Sequence, residues 1–212
     1  MIGNFDNLEL AAKEAIRTWI LSEKKLSGQL LNISEITEDV LKQWLGYWML
    51  ARSNPTYLRA ELAKQLNELV RPSILNSSDE DLPLQIQFLT EELKKINATK
   101  GKQTSLVSKI AFCLKPEIIV PYDKRARSGL TKVYGKKMID HDYASYYKSF
   151  LQFKDEIDDK LEASSVLENL RSDWQSAMSE NLFKARTADK FLMLIGGFSV
   201  EKMAKAVQGV FN

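Results

Sequence analysis

The sequence has few of the residues on which metal and thiol chemistry depend. Its 212 residues include one cysteine, Cys113, and one histidine, His141. A single cysteine excludes an intramolecular disulfide, and a structural zinc site needs about four ligands with local spacing. We therefore expect a cytoplasmic protein with no metal site and no cofactor.

Long apolar runs are also missing. No stretch approaches the roughly 18 apolar residues that span a bilayer, and residues 1–15 lack the basic and apolar regions of a secretory signal. No GxxxxGK[ST] phosphate loop occurs, because Lys100-Gly101-Lys102 lacks the rest of the motif. Nothing around His141 resembles a nucleophile elbow. These absences argue against membrane proteins and against most kinases, dehydrogenases and serine hydrolases.

Helical periodicity dominates what is present. Hydrophobic residues make up 44% of the chain and charged residues 27%, which is enough apolar material for a sizeable core. Apolar residues recur at helical spacing in most segments, as in 8–21, and we find no run of alternating strands. The sequence predicts a compact all-α protein of about ten helices. We expect one domain over 1–212, with 1–96 and 97–212 as the division if there are two lobes.

Capping and breaking residues predict where several helices begin and end. Thr37 precedes a helix through Met49, and Pro72 is expected to follow the end of another. Asp123 is expected to cap a helix that ends before Gly135. We also predict a short extended run at 118–120 and two later helices, at 166–180 and 186–195.

Positive charge is concentrated in one fifth of the chain. The formal net charge is only +2, but residues 94–137 contain twelve Lys/Arg and two acids, a net charge of +10. The remaining residues carry 18 basic and 26 acidic side chains, a net charge of −8. A phosphate-facing surface and a solvated, lysine-rich surface both remain open as explanations.

The segment 105–127 lies inside this basic region and carries a recognisable pattern. It resembles the catalytic region of helix-hairpin-helix DNA glycosylases, in which a lysine opens one helix and an aspartate starts the next. The positions that carry the resemblance are Ser108, Lys109, Pro116, Pro121, Tyr122, Asp123 and Arg125.

The resemblance implies the removal of a damaged or modified base from DNA. Lys109 would be the amine nucleophile, near a helix N-terminus that favours its neutral form, and Asp123 would be the essential carboxylate. Tyr122 and Trp48 are expected to line the pocket that receives the base. A basic rim that binds DNA is expected from Lys100, Lys102, Lys124, Arg125, Arg127 and Lys132. Small bacterial relatives of this type suggest defence against phage DNA that carries modified bases.

Two other interpretations remain open. The family's Leu-Pro-Gly-x-Gly hairpin is replaced by 103–108, which contains no glycine. A nucleic-acid-binding protein of the same fold without catalysis is therefore the second interpretation, and a protein-interaction module is the third. The segment 184–196 resembles the closing helix of the same small proteins, and Arg186 and Asp189 are expected to form an ion pair on its surface. The sequence does not indicate the oligomeric state.

Overall fold

The computed structural model describes residues 7–211, and over that range the chain is helical with no strand. Segments that follow one another without a non-helical residue count as one helix, which gives eleven helices. The all-α prediction is confirmed. None of the helices in the described range is both long and apolar enough to cross a membrane. The α-helical segments are α1 Leu8–Thr18, α2 Lys24–Asn32, α3 Glu38–Tyr47, α4 Arg59–Gln65, α5 Arg71–Asn76, α6 Leu82–Lys95, α7 Thr104–Leu114, α8 Lys124–Tyr134, α9 Tyr143–Ala163, α10 Val166–Asn169, α11 Arg171–Gln175, α12 Glu180–Ile195 and α13 Val200–Phe211.

The predicted caps of α3 and α8 are present. The Thr37 hydroxyl accepts a hydrogen bond from the Val40 amide at 3.3 Å. The Asp123 carboxylate accepts one from the Arg125 amide at 2.8 Å, and Gly135 ends α8 with a left-handed φ of 67°. These side chains satisfy amides that have no partner within the helix, and glycine adopts a positive φ without a Cβ clash.

The helix that was expected to end before Pro72 continues to Asn76. A π-helical turn, Leu66–Val70, lies between α4 and α5, and the Arg71 amide donates to the carbonyl of Leu66. The wider turn places Pro72 in the first turn of α5, where the missing proline N–H costs no hydrogen bond.

The single helix predicted over 166–180 is wrong, because the chain breaks there into α10 and α11. The Ser179 hydroxyl then accepts from the Leu182 amide at 3.1 Å, so that the next long helix begins at Glu180. The Trp174 indole donates to the Leu167 carbonyl at 3.3 Å, which satisfies a group freed by the break. Ile118 ends a turn, and residues 119–120 have no regular secondary structure and no strand partner.

The chain divides into two compact units that are assembled from separate segments. The first contains residues up to 24, 122–140 and 145 onward, and the second contains 25–121 and 141–144. This division differs from the possible lobes 1–96 and 97–212 of the sequence analysis, because α8 and α12 belong to the same unit as the N-terminal helix α1. Residues 1–6 and 212 lie outside the described range, including part of the segment assessed as a signal.

Within the first unit, α8 and α12 approach backbone to backbone. A Cβ atom at Gly129 would overlap the Leu192 carbonyl, and one at Gly196 would overlap the Arg125 carbonyl. Two glycines therefore fix how closely α8 lies against the C-terminal half of α12. Both contacts involve main-chain atoms, which cannot move aside as a flexible side chain can.

We predict that Gly129→Ala lowers the free energy of unfolding by about 1–3 kcal/mol, because the added methyl overfills a packed backbone contact. Gly209→Ala is the matched control. Gly209 lies exposed in α13, and a Cβ atom added there would have no neighbour within 4 Å. That variant should instead gain up to about 1 kcal/mol from helix propensity. Chemical denaturation of both variants measures this, and equal effects would contradict the close approach.

Candidate active site

Asp123 is held in a defined position at the start of α8. Its backbone is extended, with φ −107° and ψ 142°, and its side chain turns back to the Arg125 amide. The side chain is half-buried, so it is fixed by the fold and still reached by solvent. Amides at a helix N-terminus carry partial positive charge, which stabilises the ionised carboxylate.

The basic side chains of α8 differ in how they are held. Lys124 and Arg125 are exposed, and Arg125 stacks on the Phe198 ring at 4.6 Å. Arg127 forms an ion pair with Asp140. The Lys132 ammonium donates to the Ile195 carbonyl at 2.9 Å. Lys124 has no ion pair or side-chain hydrogen bond within residues 7–211, so it and Arg125 are the cations of α8 best placed to meet a phosphate.

Tyr122 is buried beside this helix start. Its ring lies 5.0 Å from that of Tyr146 and 4.5 Å from the Arg127 guanidinium. Its hydroxyl donates to the Ile139 carbonyl at 3.3 Å. The predicted pocket residue therefore packs as a support for Arg127, and a base would reach its ring only if these neighbours moved.

A buried group of four charged residues lies in the same unit, and we call it the ionic quartet: Glu23, Arg186, Asp189 and Lys190. The Arg186 guanidinium, 1% exposed, donates to Asp189 Oδ2 at 2.8 Å and also to Glu23 Oε1. Lys190 Nζ lies 3.8 Å from Glu23 Oε1. Arg186 and Asp189 are therefore an internal ion pair and not the surface pair expected from their spacing.

The quartet is not fully satisfied. Within the described residues, neither Glu23 Oε2 nor Asp189 Oδ1 has a hydrogen-bond partner. Burial raises the pKa of Asp189 above its usual range, because a desolvated carboxylate is destabilised. Arg186 and Lys190 oppose this shift, whereas the negative charges of Asp123 and Glu23 add to it. Asp123 is thus electrostatically coupled to the quartet.

Lys109 lies in the second unit, in the middle of α7 and not at its start. Only 6% of its surface is exposed, and its ammonium lies 5.3 Å from the centre of the Trp48 ring. The expected effect of a helix N-terminus on its charge therefore does not apply. The structure does bring together two predicted site residues, Lys109 and Trp48, and the ring itself meets Phe112 edge-on at 6.2 Å.

The remaining predicted rim residues, Lys100 and Lys102, lie on the loop between α6 and α7. Both are exposed, and Lys102 forms an ion pair with Glu91. The helix–loop–helix arrangement is present here, but 104–108 already belong to α7 and are mostly buried. The loop's only glycine is Gly101, beside the two lysines.

Potential metal ligands are not clustered within residues 7–211. In the part of the chain that the structure describes, no three His, Cys, Asp or Glu side chains are arranged to hold a metal ion. Cys113 is buried in α7. His141 Nδ1 lies 3.0 Å from the Thr104 hydroxyl.

No protein-family model, no curated protein and no solved structure matches this chain. The likeness to helix-hairpin-helix glycosylases therefore depends on the sequence of residues 105–127 alone.

Sequence reasoning missed the ionic quartet as a unit. The signal was present in α12, where Arg186, Asp189 and Lys190 occur on one face of a helix that is otherwise apolar there. Glu23 was not predictable as their partner, because it is 163 residues from Arg186 along the chain.

We predict that Asp189 makes the protein less stable as the pH rises. Folding raises the pKa of this carboxyl, so its protonation stabilises the folded protein. The contribution is complete below the unfolded pKa of about 3.9 and is lost as the pH rises through the folded pKa. Between these two pKa values the free energy of unfolding falls by up to about 1.4 kcal/mol per pH unit. Asp189→Asn keeps the shape but cannot titrate, so its deficit relative to wild type should shrink as the pH rises.

Unfolding free energies measured across the acidic to neutral range test this prediction. Asp39→Asn, which replaces an exposed aspartate in the first turn of α3, controls for the loss of a carboxylate. A deficit for Asp189→Asn that stays constant or grows with pH would show that Asp189 is ionised throughout.

Proposed function

We propose that this chain is a DNA N-glycosylase that excises a damaged or modified base, with Asp123 as the essential carboxylate. The observation that carries the proposal is the Asp123 side chain, half-buried and fixed by the Arg125 amide at the start of a helix whose first residues are exposed cations. The resemblance of 105–127 to the glycosylase catalytic region supports the same residue.

A carboxylate in this setting suits cleavage of an N-glycosidic bond. As the bond between the sugar C1′ and the base nitrogen breaks, the sugar gains oxocarbenium character, which a fixed negative charge stabilises. A water molecule then adds to C1′, and its proton is taken up by the carboxylate or by the departing base. Because Asp123 is already oriented, little reorganisation is needed when the charge develops.

Lys124 and Arg125 supply the electrostatic part of the proposal. Phosphates bind Lys and Arg side chains by releasing counterions, and this binding is independent of sequence. Stacking on Phe198 holds the Arg125 guanidinium in place without neutralising it. A phosphate bound here would bring a nucleotide close to Asp123.

Lys109 defines a second chemical route within the same proposal. An amine that attacks the sugar would form a Schiff base, which borohydride reduces to a stable adduct. The low exposure of Lys109 favours attack by water over attack by this amine.

Binding of nucleic acid without catalysis is the second candidate function. It is favoured by the exposed Lys124 and Arg125, which bind phosphate whether or not chemistry follows. It is also favoured by 104–108, where mostly buried residues of α7 stand in place of the glycine hairpin of the glycosylases.

We predict that Asp123→Asn abolishes base release and leaves folding and DNA binding nearly unchanged. Asparagine caps a helix about as well as aspartate, so the variant removes the charge and keeps α8. Duplex and single-stranded oligonucleotides that carry damaged or phage-type modified bases are incubated with the protein. Abasic sites are revealed with alkali, and covalent adducts are trapped with borohydride.

The control is Asp81→Asn, which removes an exposed carboxylate at the N-cap position of α6, where the side chain accepts from the Ser78 hydroxyl and not from a helix amide. It should keep full activity. An adduct that disappears in Lys109→Ala indicates the Schiff-base route, and abasic sites without an adduct indicate the water route. Full activity in Asp123→Asn would overturn the assignment, and binding without base release across the panel would favour the second function.

We also predict that neutralising Lys124 and Arg125 together makes the binding of duplex DNA less dependent on salt. The plot of log binding constant against log salt should become less steep by about 2, because each lost phosphate contact reduces the magnitude of the slope by close to one. The charge-matched control is Lys202→Gln with Lys205→Gln, which changes two exposed cations of α13 in the same unit. Fluorescence anisotropy over a salt series measures both slopes, and identical slopes would remove α8 from the DNA-binding surface.

A further inference from the structure

A second surface, in the unit that does not contain Asp123, has the composition of a nucleic-acid contact. Between residues 40 and 60 the chain has four aromatic and three basic side chains and no acidic one. Acids outnumber basic residues outside 94–137, so this stretch departs from its surroundings. Most of these side chains lie in or beside the turn after α3, residues 47–57, which we call the aromatic loop.

The aromatic loop exposes side chains that usually pack inside. Met49 is 90% exposed and Tyr57 is 75% exposed. Met49 also has a left-handed φ of 55°, which is uncommon for a residue with a side chain. Arg52, between them in the chain, is exposed as well. Large apolar groups held in water by a strained backbone indicate a contact surface.

This loop is fixed by hydrogen bonds on its inner side. Asn54 is buried, and its amide donates to the Leu50 carbonyl at 3.0 Å. The Arg59 guanidinium donates to the Asn54 carbonyl at 3.3 Å. The exposed side chains are therefore presented by an ordered backbone, which lowers the entropic cost when a partner binds.

The basic loop between α6 and α7 lies against the aromatic loop. The Gln103 side chain, at the end of the basic loop, donates to the Ser53 carbonyl at 3.5 Å. In the following helix α7, the buried Lys109 lies over the Trp48 ring. Lys100, three residues before Gln103, is exposed and has no ion pair among residues 7–211. Stacking side chains and cations thus adjoin on one surface of the second unit.

We infer that this surface binds single-stranded nucleic acid, with unpaired bases stacked on Tyr57 and Met49 and the backbone held by Arg52 and Lys100. Stacking needs an open base face, which a duplex does not offer along its length. The absence of acids from 40–60 favours a polyanion over a protein partner. This inference concerns binding alone and does not depend on base excision.

The experiment measures the affinity of unmodified strands of about 12 nucleotides, deoxy and ribo, by fluorescence anisotropy. Tyr57→Ala should weaken binding about 5- to 100-fold, the loss expected for one base stacked on an aromatic ring. Met49→Ala should also weaken binding, by a smaller factor, because its thioether makes apolar contact without a ring. Tyr57→Phe keeps the ring and should restore most of the affinity. Phe88→Ala, which removes an exposed aromatic residue from α6, is the matched control and should have no effect.

Photocrosslinking locates the contact independently of affinity. A strand with 5-iodouracil should label the tryptic peptides 43–52 and 53–59, which contain Trp48, Met49 and Tyr57. Equal preference for deoxy and ribo strands would indicate stacking alone, and a difference would indicate contacts to the 2′-hydroxyl in addition.

Unchanged affinity in both alanine variants, or crosslinks confined to other peptides, would overturn the inference. Absence of single-strand binding at low salt would also overturn it and would leave a protein partner as the occupant of the loop. Because the strands carry no modified base, a failure of base release by Asp123 does not bear on these outcomes.

Discussion

The buried Arg186 guanidinium is the interaction on which the first unit depends. It joins Asp189 on its own helix to Glu23 at the end of a π-helical turn 163 residues earlier in the chain. Removing one partner of such a pair leaves an uncompensated charge in an apolar interior, at a cost of about 3–5 kcal/mol. The N-terminal segment and α12 are therefore tied together by charge as well as by apolar packing.

That tie has consequences for Asp123, because α12 is also the surface on which α8 lies. Gly129 and Gly196 bring the two backbones into contact, and the cap at Asp123 then fixes the first turn of α8. A carboxylate at the start of a helix is an ordinary N-cap in most proteins. Here the negative charge of the same carboxylate also adds to the raised pKa of the buried Asp189.

Local signals predicted much of this arrangement. Thr37, Asp123 and Gly135 bound their helices as expected, because caps and stops act within a few residues. The continuation through Pro72 was missed, because a π-helical turn depends on how a helix packs and has no clear residue signature. The quartet was missed for a related reason, since it brings together residues that are far apart in sequence. The side chains of Lys109 and Tyr122 showed the same limit, as both are buried by neighbours that their own segment does not contain.

The basic segment 94–137 is best understood as parts of two different surfaces. The lysines of the loop before α7 belong to the second unit, whereas the cations of α8 belong to the first. On α8 the cations accompany a fixed carboxylate, the arrangement on which the proposed chemistry at one nucleotide depends. Near the aromatic loop the cations accompany exposed stacking side chains, and residues 40–60 contain no acid, which suits unpaired bases.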